Sequence, residues 1–180
     1  PGTVIDSACL DEKSGNFLCG IYVDESAAGI AFCDITTGKT HLTAFSGRER
    51  VEHIINELGR FSPAETVLND AAFDDPDLTT ALTERFPCHR ERLAAARFNP
   101  NAAEKQVRAQ FGDDALARLP RNDPAALLAL GGLLSYLYET QKTDLTHLDE
   151  LECYRTGAYM ELDVTARRNL ELTETLRTKE

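Results

Sequence analysis

Hydrophobic and polar residues follow a strand-like pattern in three short runs near the start of the chain. Residues 16–23 (NFLCGIYV) are apolar on both alternating sides, which is typical of a central strand. Residues 29–36 (GIAFCDIT) form a second run, and the turn at Thr37-Gly38 leads to a third run at residues 39–45 (KTHLTAF). We expect these three strands to form an antiparallel meander.

After Ser46 the apolar spacing becomes helical. The segment from Ser46 to Glu49 (SGRE) fits a capping box, and Gly59 fits a C-terminal cap. The buried stripe of this helix is expected at four positions that share one helical face: Val51, Ile54, Ile55 and Leu58. A fourth strand is predicted at residues 65–68 (ETVL).

Three later helices share one start signal, a capping residue followed by proline. The signals are Asp75-Pro76, Asn99-Pro100 and Asp123-Pro124. We expect these helices to end before Pro87, near Phe111-Gly112 and at about Gln141, respectively. A fifth, charged, edge-like strand is predicted at residues 88–92.

The end of the chain gives weaker signals. Residues 145–156 match no clear pattern, residues 159–162 (YMEL) predict a short strand, and Asp163 caps a last helix. The predicted order is three strands, helix, strand, helix, strand and then helices. This order predicts an α/β fold, a mixed sheet flanked by helices with a C-terminal helical extension, and it matches the ribonuclease-H-like fold.

Composition and charge narrow the class of protein. The 180 residues are 42% hydrophobic with a net charge of −11, so a core can form and the surface as a whole would repel nucleic acid and anionic membranes. The five cysteines lack C-x-x-C spacing, which favours reduced thiols in a cytoplasmic protein over a disulfide or zinc framework. The chain begins with Pro1, and we expect it to be a segment of a larger protein.

Several strings resemble the MutS family of DNA mismatch repair proteins. The strand pair NFLCGIYV and GIAFCDITTGK resembles its connector domain, and MELDVTARRNLELTETL (residues 160–176) resembles the start of its core or lever domain. The resemblance implies a connector domain of ribonuclease-H-like fold at residues 1–142, a linking passage at 143–162, and a truncated core segment at 163–180.

The resemblance also implies a function without catalysis in this segment. The sequence has no Phe-x-Glu mismatch-reading motif and no G-x-x-x-x-G-K-[ST] phosphate loop, so mismatched DNA, ATP and Mg²⁺ are expected to bind elsewhere in the parent protein. The segment would join the mismatch-binding domain to the core, contact the adjacent MutS domains, relay ATP-driven movement and offer a docking surface for MutL. A spacer without a partner of its own would need the same fold.

One basic window is the candidate docking surface on this acidic chain. Residues 88–110 carry five Lys and Arg residues against two Glu, a pattern that suits an acidic partner as well as a solvated face. The resemblance places MutL contacts on the helix that begins at Pro100, and it assigns them to Lys105 and Gln106. The outward positions Arg108 and Ala109 and the basic Arg97 complete the candidate set.

A metal-dependent nuclease is the alternative function. Asp24 ends the first strand, Asp70 follows the fourth, and Glu52 lies on the first helix, so their carboxylates could share divalent metals at one sheet edge. Two features oppose this alternative. The first strand offers Cys19 and Ile21 where an inward carboxylate is needed, and aspartates are ordinary turn residues. No other catalytic or metal-ligating pattern is predicted.

Overall fold

The computed structural model describes residues 17–119, 124–140 and 145–154. Its six strands are β1 (Phe17–Val23), β2 (Ala27–Asp34), β3 (Lys39–Ser46), β4 (Glu65–Leu68), β5 (His89–Arg92) and β6 (Glu150–Cys153). Its helices are α1 (Arg50–Phe61), α2 (Asp70–Asp74), α3 (Pro76–Thr80), α4 (Pro100–Phe111), α5 (Asp114–Arg118) and α6 (Pro124–Thr140). A π-helical turn (Ala81–Arg85) continues α3, and a 3₁₀ helix (Ala95–Phe98) precedes α4.

All six strands form one mixed sheet in the order β5-β4-β1-β2-β3-β6. The β1-β2-β3 meander is antiparallel, β4 pairs parallel with β1, and β5 pairs parallel with β4. This arrangement is the ribonuclease-H-like fold predicted from the order of elements. The additional strand β6 pairs parallel with β3 and extends the opposite edge of the sheet.

The sheet is covered by helices on both faces, and each face has its own core. On one face Cys19, Ile21 and Ile30 pack with residues of α1, α2 and α3. On the other face Ala31 and Leu42 pack with residues of α4, α5 and α6. Because β1 and β2 are buried on both faces, their sequences are apolar at successive positions rather than alternating, as predicted for β1.

Glycine allows α6 to approach β1 closely. A Cβ atom on Gly20 would lie 2.7 Å from the carbonyl oxygen of Ala129 and 2.8 Å from the Cβ of Leu133. Both neighbours belong to α6, whose buried residues lie on most of its faces. The absence of a side chain at Gly20 therefore sets the distance between the sheet and this helix.

Two predicted caps of α1 are wrong. Ser46 is the last residue of β3, Gly47 takes a positive φ of 91°, and no side chain caps the helix at Glu49. Instead, the guanidinium of Arg50 donates hydrogen bonds to the carbonyl oxygens of Asp24 and Gly47. The helix also runs past Gly59 to Phe61 and ends at Ser62, which adopts the left-handed conformation.

The other boundaries agree more closely with the predictions. Strand β2 starts and ends two residues earlier than expected, because Ala27 already pairs with Ser46. Asp75 caps α3 as predicted, through hydrogen bonds from the amides of Asp77 and Leu78. The short elements α2, α5 and β6 were not predicted. The predicted strand at residues 159–162 and the helix from Asp163 lie outside the described residues, as does the predicted cap at Asp123.

Candidate docking surface

Helix α4 presents the residues that sequence reasoning assigned to partner docking. The Asn99 side chain caps it by accepting a hydrogen bond from the Ala102 amide at 3.0 Å, and Pro100 occupies the first turn. Ala103 and Val107 are buried against the core. These two residues form the inward stripe of the helix, and the stripe determines which residues face solvent.

The outward residues of α4 form a small basic and polar surface. Lys105, Arg108 and Ala109 are exposed, and Gln106 is half-buried. The Nε of Arg108 lies 3.4 Å from the Asp113 carboxylate, whereas Lys105 has no ion-pair partner within the described part of the chain. An exposed pair of this kind contributes little to stability, so Arg108 can exchange Asp113 for a partner's carboxylate at low cost.

Arg97 is the one predicted docking residue that the structure directs into the domain. Its guanidinium donates hydrogen bonds to the Ser135 hydroxyl at 2.8 Å and to the Glu139 carboxylate at 2.6 Å, both on α6. The side chain is half-buried. Arg97 therefore holds the 3₁₀ helix against α6, and the candidate docking surface reduces to the four residues of α4.

The remaining basic residues of the window, on β5, are also engaged within the domain. Arg92 pairs with the carboxylates of Asp70 and Asp74 at 2.9 and 2.8 Å. Its guanidinium and that of Arg90 both lie over the ring of Phe73, with their carbons 4.7 and 4.5 Å from the centroid. The positive charge of β5 thus stabilises its own edge of the sheet, and α4 carries the basic charge that is open to a partner.

A polar network that sequence reasoning missed connects α4 to the last described residues. The Gln110 amide donates hydrogen bonds to the carbonyl oxygens of Leu145 and Leu148 at 2.7 and 2.8 Å. Its own oxygen accepts a hydrogen bond from the Tyr138 hydroxyl at 2.6 Å. The only sequence signal is an amide at a half-buried helical position, and its partners are too distant along the chain to be predicted.

A second unpredicted network lies on the opposite face of the sheet. The carboxylate of Glu57, only 3% exposed, accepts hydrogen bonds from the Tyr154 hydroxyl at 2.7 Å and from Arg60 at 2.9 Å. Burial, followed by the nearby Glu57 carboxylate, raises the pKa of Tyr154. Burial also lowers the pKa of His41, although the Glu152 carboxylate 3.3 Å away acts in the opposite direction. These groups stabilise the contact between α1 and the residues around β6.

The nuclease alternative gains no support from the structure. Asp24 accepts hydrogen bonds from the amides of Ser26 and Ala27, which lower its pKa although burial opposes them, and Asp70 pairs with Arg92. Within residues 17–119, 124–140 and 145–154, no group of three Asp, Glu, His or Cys side chains could hold a metal ion. Asp24 is a turn residue, and Asp70 starts a helix.

Two of the cysteines are core residues of the sheet. Cys19 and Cys33 are buried, and burial raises the pKa of both thiols, that of Cys33 to about 12. The thiol group of Cys33 lies 3.3 Å from the Thr40 hydroxyl. Thiols in this environment pack as small hydrophobic groups and are poor nucleophiles.

None of the described helices is long and apolar enough to cross a membrane.

Comparison with known proteins identifies the family. The family model described as MutS domain II matches residues 16–149. The chain belongs to the MutS family. The DNA mismatch repair protein MutS of Acetivibrio thermocellus is 38% identical over 179 residues, and that of Ruminiclostridium cellulolyticum is 34% identical over the same length. Each alignment covers 99% of this chain and 20% of the relative, so the chain spans about one fifth of the length of these MutS proteins.

One solved structure matches part of the chain. T. thermophilus RuvC, in complex with Holliday junction substrate, matches with a TM-score of 0.45 and 15% sequence identity. The match covers 69% of this chain and 96% of that chain. A likeness of this size says nothing about what MutS domain II binds or does.

Proposed function

We propose that this MutS segment is a non-catalytic connector of a cytoplasmic DNA mismatch repair protein. It joins the mismatch-binding domain to the core, relays ATP-dependent movement between them, and docks a MutL-type protein through α4. Mismatched DNA is contacted by the parent protein through other domains, where ATP and Mg²⁺ also bind. Membership of the MutS family and the absence of a phosphate loop from this sequence support the proposal.

The outward face of α4 is the observation that carries the docking proposal. Lys105 and Arg108 are exposed one turn apart, with Ala109 and the Gln106 amide beside them. The small Ala109 side chain lets a partner approach the helix closely, and Gln106 can donate and accept hydrogen bonds. Because the chain as a whole has a charge of −11, a local basic face selects the orientation in which an acidic partner approaches.

Charge reversal in the parent protein tests this assignment. We expect Lys105→Glu with Arg108→Glu to weaken MutL binding about tenfold or more, because two attractive contacts become repulsive. Affinity for mismatched DNA should stay unchanged. Binding is measured by surface plasmon resonance with ATP and mismatched DNA present.

A matched control separates local contact from net charge. Lys39 and Arg48 are also exposed, but Lys39 lies on β3 and Arg48 in the loop before α1. Lys39→Glu with Arg48→Glu changes the net charge by the same amount and should leave MutL affinity within about twofold of the wild type. Equal affinity of the α4 variant and the wild type for MutL would refute the docking site.

A further inference from the structure

The last described residues are attached to the domain from both faces of the sheet. Residues 145–154, named here the β6 segment, comprise a turn, the strand β6 and Tyr154. On the α4 face, the Gln110 amide donates hydrogen bonds to two carbonyl oxygens of the turn. On the α1 face, the Tyr154 hydroxyl binds Glu57. The β6 segment is thus fixed at its two ends by side chains from helices on opposite faces.

Gln110 uses both donors of its amide and one lone pair of its amide oxygen in this contact. Both donors of its amide are directed at the turn, to Leu145 and Leu148, while its oxygen accepts from Tyr138 on α6. The Leu145 and Leu148 side chains are buried in the core on the α4 face. If Gln110 withdraws, the Leu148 carbonyl oxygen loses its hydrogen bond from Gln110, and the Leu145 oxygen keeps only the bond from the Leu148 amide. This loss next to the core is costly unless the turn moves out to water.

Strand β6 is short and lies at an edge of the sheet, although Leu151 is buried and Glu152 pairs with His41. It has four residues and pairs only with β3, in parallel, at the edge of the sheet. Its flanking backbone bonds run from the Glu150 amide to Gly38 at 3.3 Å and from the Tyr154 amide to Leu42 at 3.0 Å. Short edge elements of this kind open at a lower free energy than the central strands. The hydrogen bonds of Gln110, named here the clamp, therefore add measurably to the free energy of opening the β6 segment.

Gln110 also lies next to the surface of α4 that is assigned to docking. It follows Ala109 and lies one turn after Gln106, both in the surface assigned to docking. Any shift of α4 that accompanies docking therefore acts on the carbonyls of Leu145 and Leu148. Binding and opening that share one element are linked reciprocally, so each changes the other by the same factor.

We propose that Gln110 is a positioning residue that couples the outward face of α4 to the β6 segment. Docking on α4 holds the β6 segment closed, and release of the β6 segment weakens docking. The effect on docking rests on the proposed function. The hydrogen bonds of Gln110 to the β6 segment are present without a partner.

Hydrogen exchange of the 180-residue chain tests the clamp without a partner. The amides of Leu148, Glu150 and Tyr154 report opening of the β6 segment, and those of β1 report the rest of the sheet. Gln110→Glu replaces the two donors with a carboxylate that repels both carbonyls. We expect exchange at the three reporter amides to accelerate about 10- to 100-fold, with β1 unchanged.

Two control variants distinguish the clamp from general effects of substitution. Gln106→Glu makes the same chemical change one turn earlier on α4 and should leave the reporter amides unchanged. Tyr138→Phe removes one of the three hydrogen bonds and should accelerate exchange about 3- to 10-fold. Unchanged exchange rates at the reporter amides in Gln110→Glu would overturn the proposal. Equal acceleration of exchange in β1 would also overturn it, because it indicates only a loss of global stability.

Repeating the hydrogen exchange measurement with purified MutL present tests the proposed coupling separately from the proposed docking site. Slower exchange at the reporter amides in the wild type, reduced in Gln110→Glu, supports coupling. Binding of MutL without any change at these amides overturns coupling and leaves the docking site standing. Failure of MutL to bind the wild type contradicts the proposed function and the proposed effect of docking on the β6 segment. Hydrogen exchange in the free chain still tests whether Gln110 holds the β6 segment closed.

Discussion

The buried carboxylate of Glu57 gives the sharpest test of how the domain is held together. Replacing it by Ala removes the acceptor of both the Tyr154 hydroxyl and the Arg60 guanidinium. Tyr154 is 6% exposed, so its hydroxyl would stay buried without a partner. Arg60 is 46% exposed and can turn to water, so its contribution is small after screening by solvent.

The expected loss of stability follows from these contacts. A hydrogen bond to a charged group contributes about 1.5–3 kcal/mol, and an unsatisfied buried hydroxyl costs about 1–3 kcal/mol. These figures describe the same broken bond and are not added, so we expect Glu57→Ala to lower the free energy of unfolding by about 3 kcal/mol. Glu57→Gln keeps an oxygen that accepts from Tyr154 and should cost only about 1 kcal/mol.

Urea denaturation followed by far-ultraviolet circular dichroism measures the difference, because the chain contains no Trp. The exposed Glu52 on the same helix provides the control, and Glu52→Ala should lie within about 0.5 kcal/mol of the wild type. A free energy of unfolding for Glu57→Ala equal to that of the control would refute this role of Glu57. An equal loss of stability in Glu57→Gln and Glu57→Ala would refute it as well.

Two further predictions concern packing and pH. Gly20→Ala should lower the free energy of unfolding by about 1–3 kcal/mol in the same urea assay, because its Cβ would overlap α6 at Ala129. His41 has a pKa lowered by burial, so the unfolded chain binds the proton first as pH falls below its ordinary value of about 6.5. The stability that His41 contributes should be present above that pH and lost below it. The melting temperature of His41→Asn should therefore fall less between pH 7 and 5 than that of the wild type.

Most elements could be predicted because their apolar spacing is set by local geometry. The strands β1 and β2 are continuous apolar runs, α1 and α4 carry apolar residues at helical spacing, and cap-proline pairs mark the starts of α3 and α4. The five-residue helix α2 is too short to show a period. Strand β6 has the sequence ELEC and pairs with β3 more than a hundred residues earlier, so no local signal marks it.

The wrong caps show how tertiary contacts override local signals. The sequence SGRE fits a capping box, but pairing of Ser46 with Ala27 extends β3 through the serine. Gly59 fits a helix end, yet the ring of Phe86 packs at this position and the helix continues by two residues. In both cases a strand or a core contact decided a boundary that local chemistry left open.

The candidate site was predictable only in part for the same reason. The inward stripe at Ala103 and Val107 fixes which residues of α4 face solvent. The partners of Arg97 lie 38 and 42 residues away on α6, and those of Gln110 lie 28 to 38 residues away. Charge and spacing along the chain therefore could not distinguish an arginine that is exposed to a partner from one that is hydrogen-bonded within the domain.

The docking site that we propose for MutS domain II lies on α4. A titration of the 180-residue chain against purified MutL, with ATP present, tests it most directly, alongside Lys105→Ala with Gln106→Ala. Glu52→Ala with Asn56→Ala is the control, since it also removes one charged and one amide side chain, from exposed positions of α1 on the opposite face. Saturable binding that is weakened at least about tenfold by the α4 variant and unchanged in the control is predicted. Equal binding of the α4 variant and the wild type, or no binding of the wild type, would contradict the claim.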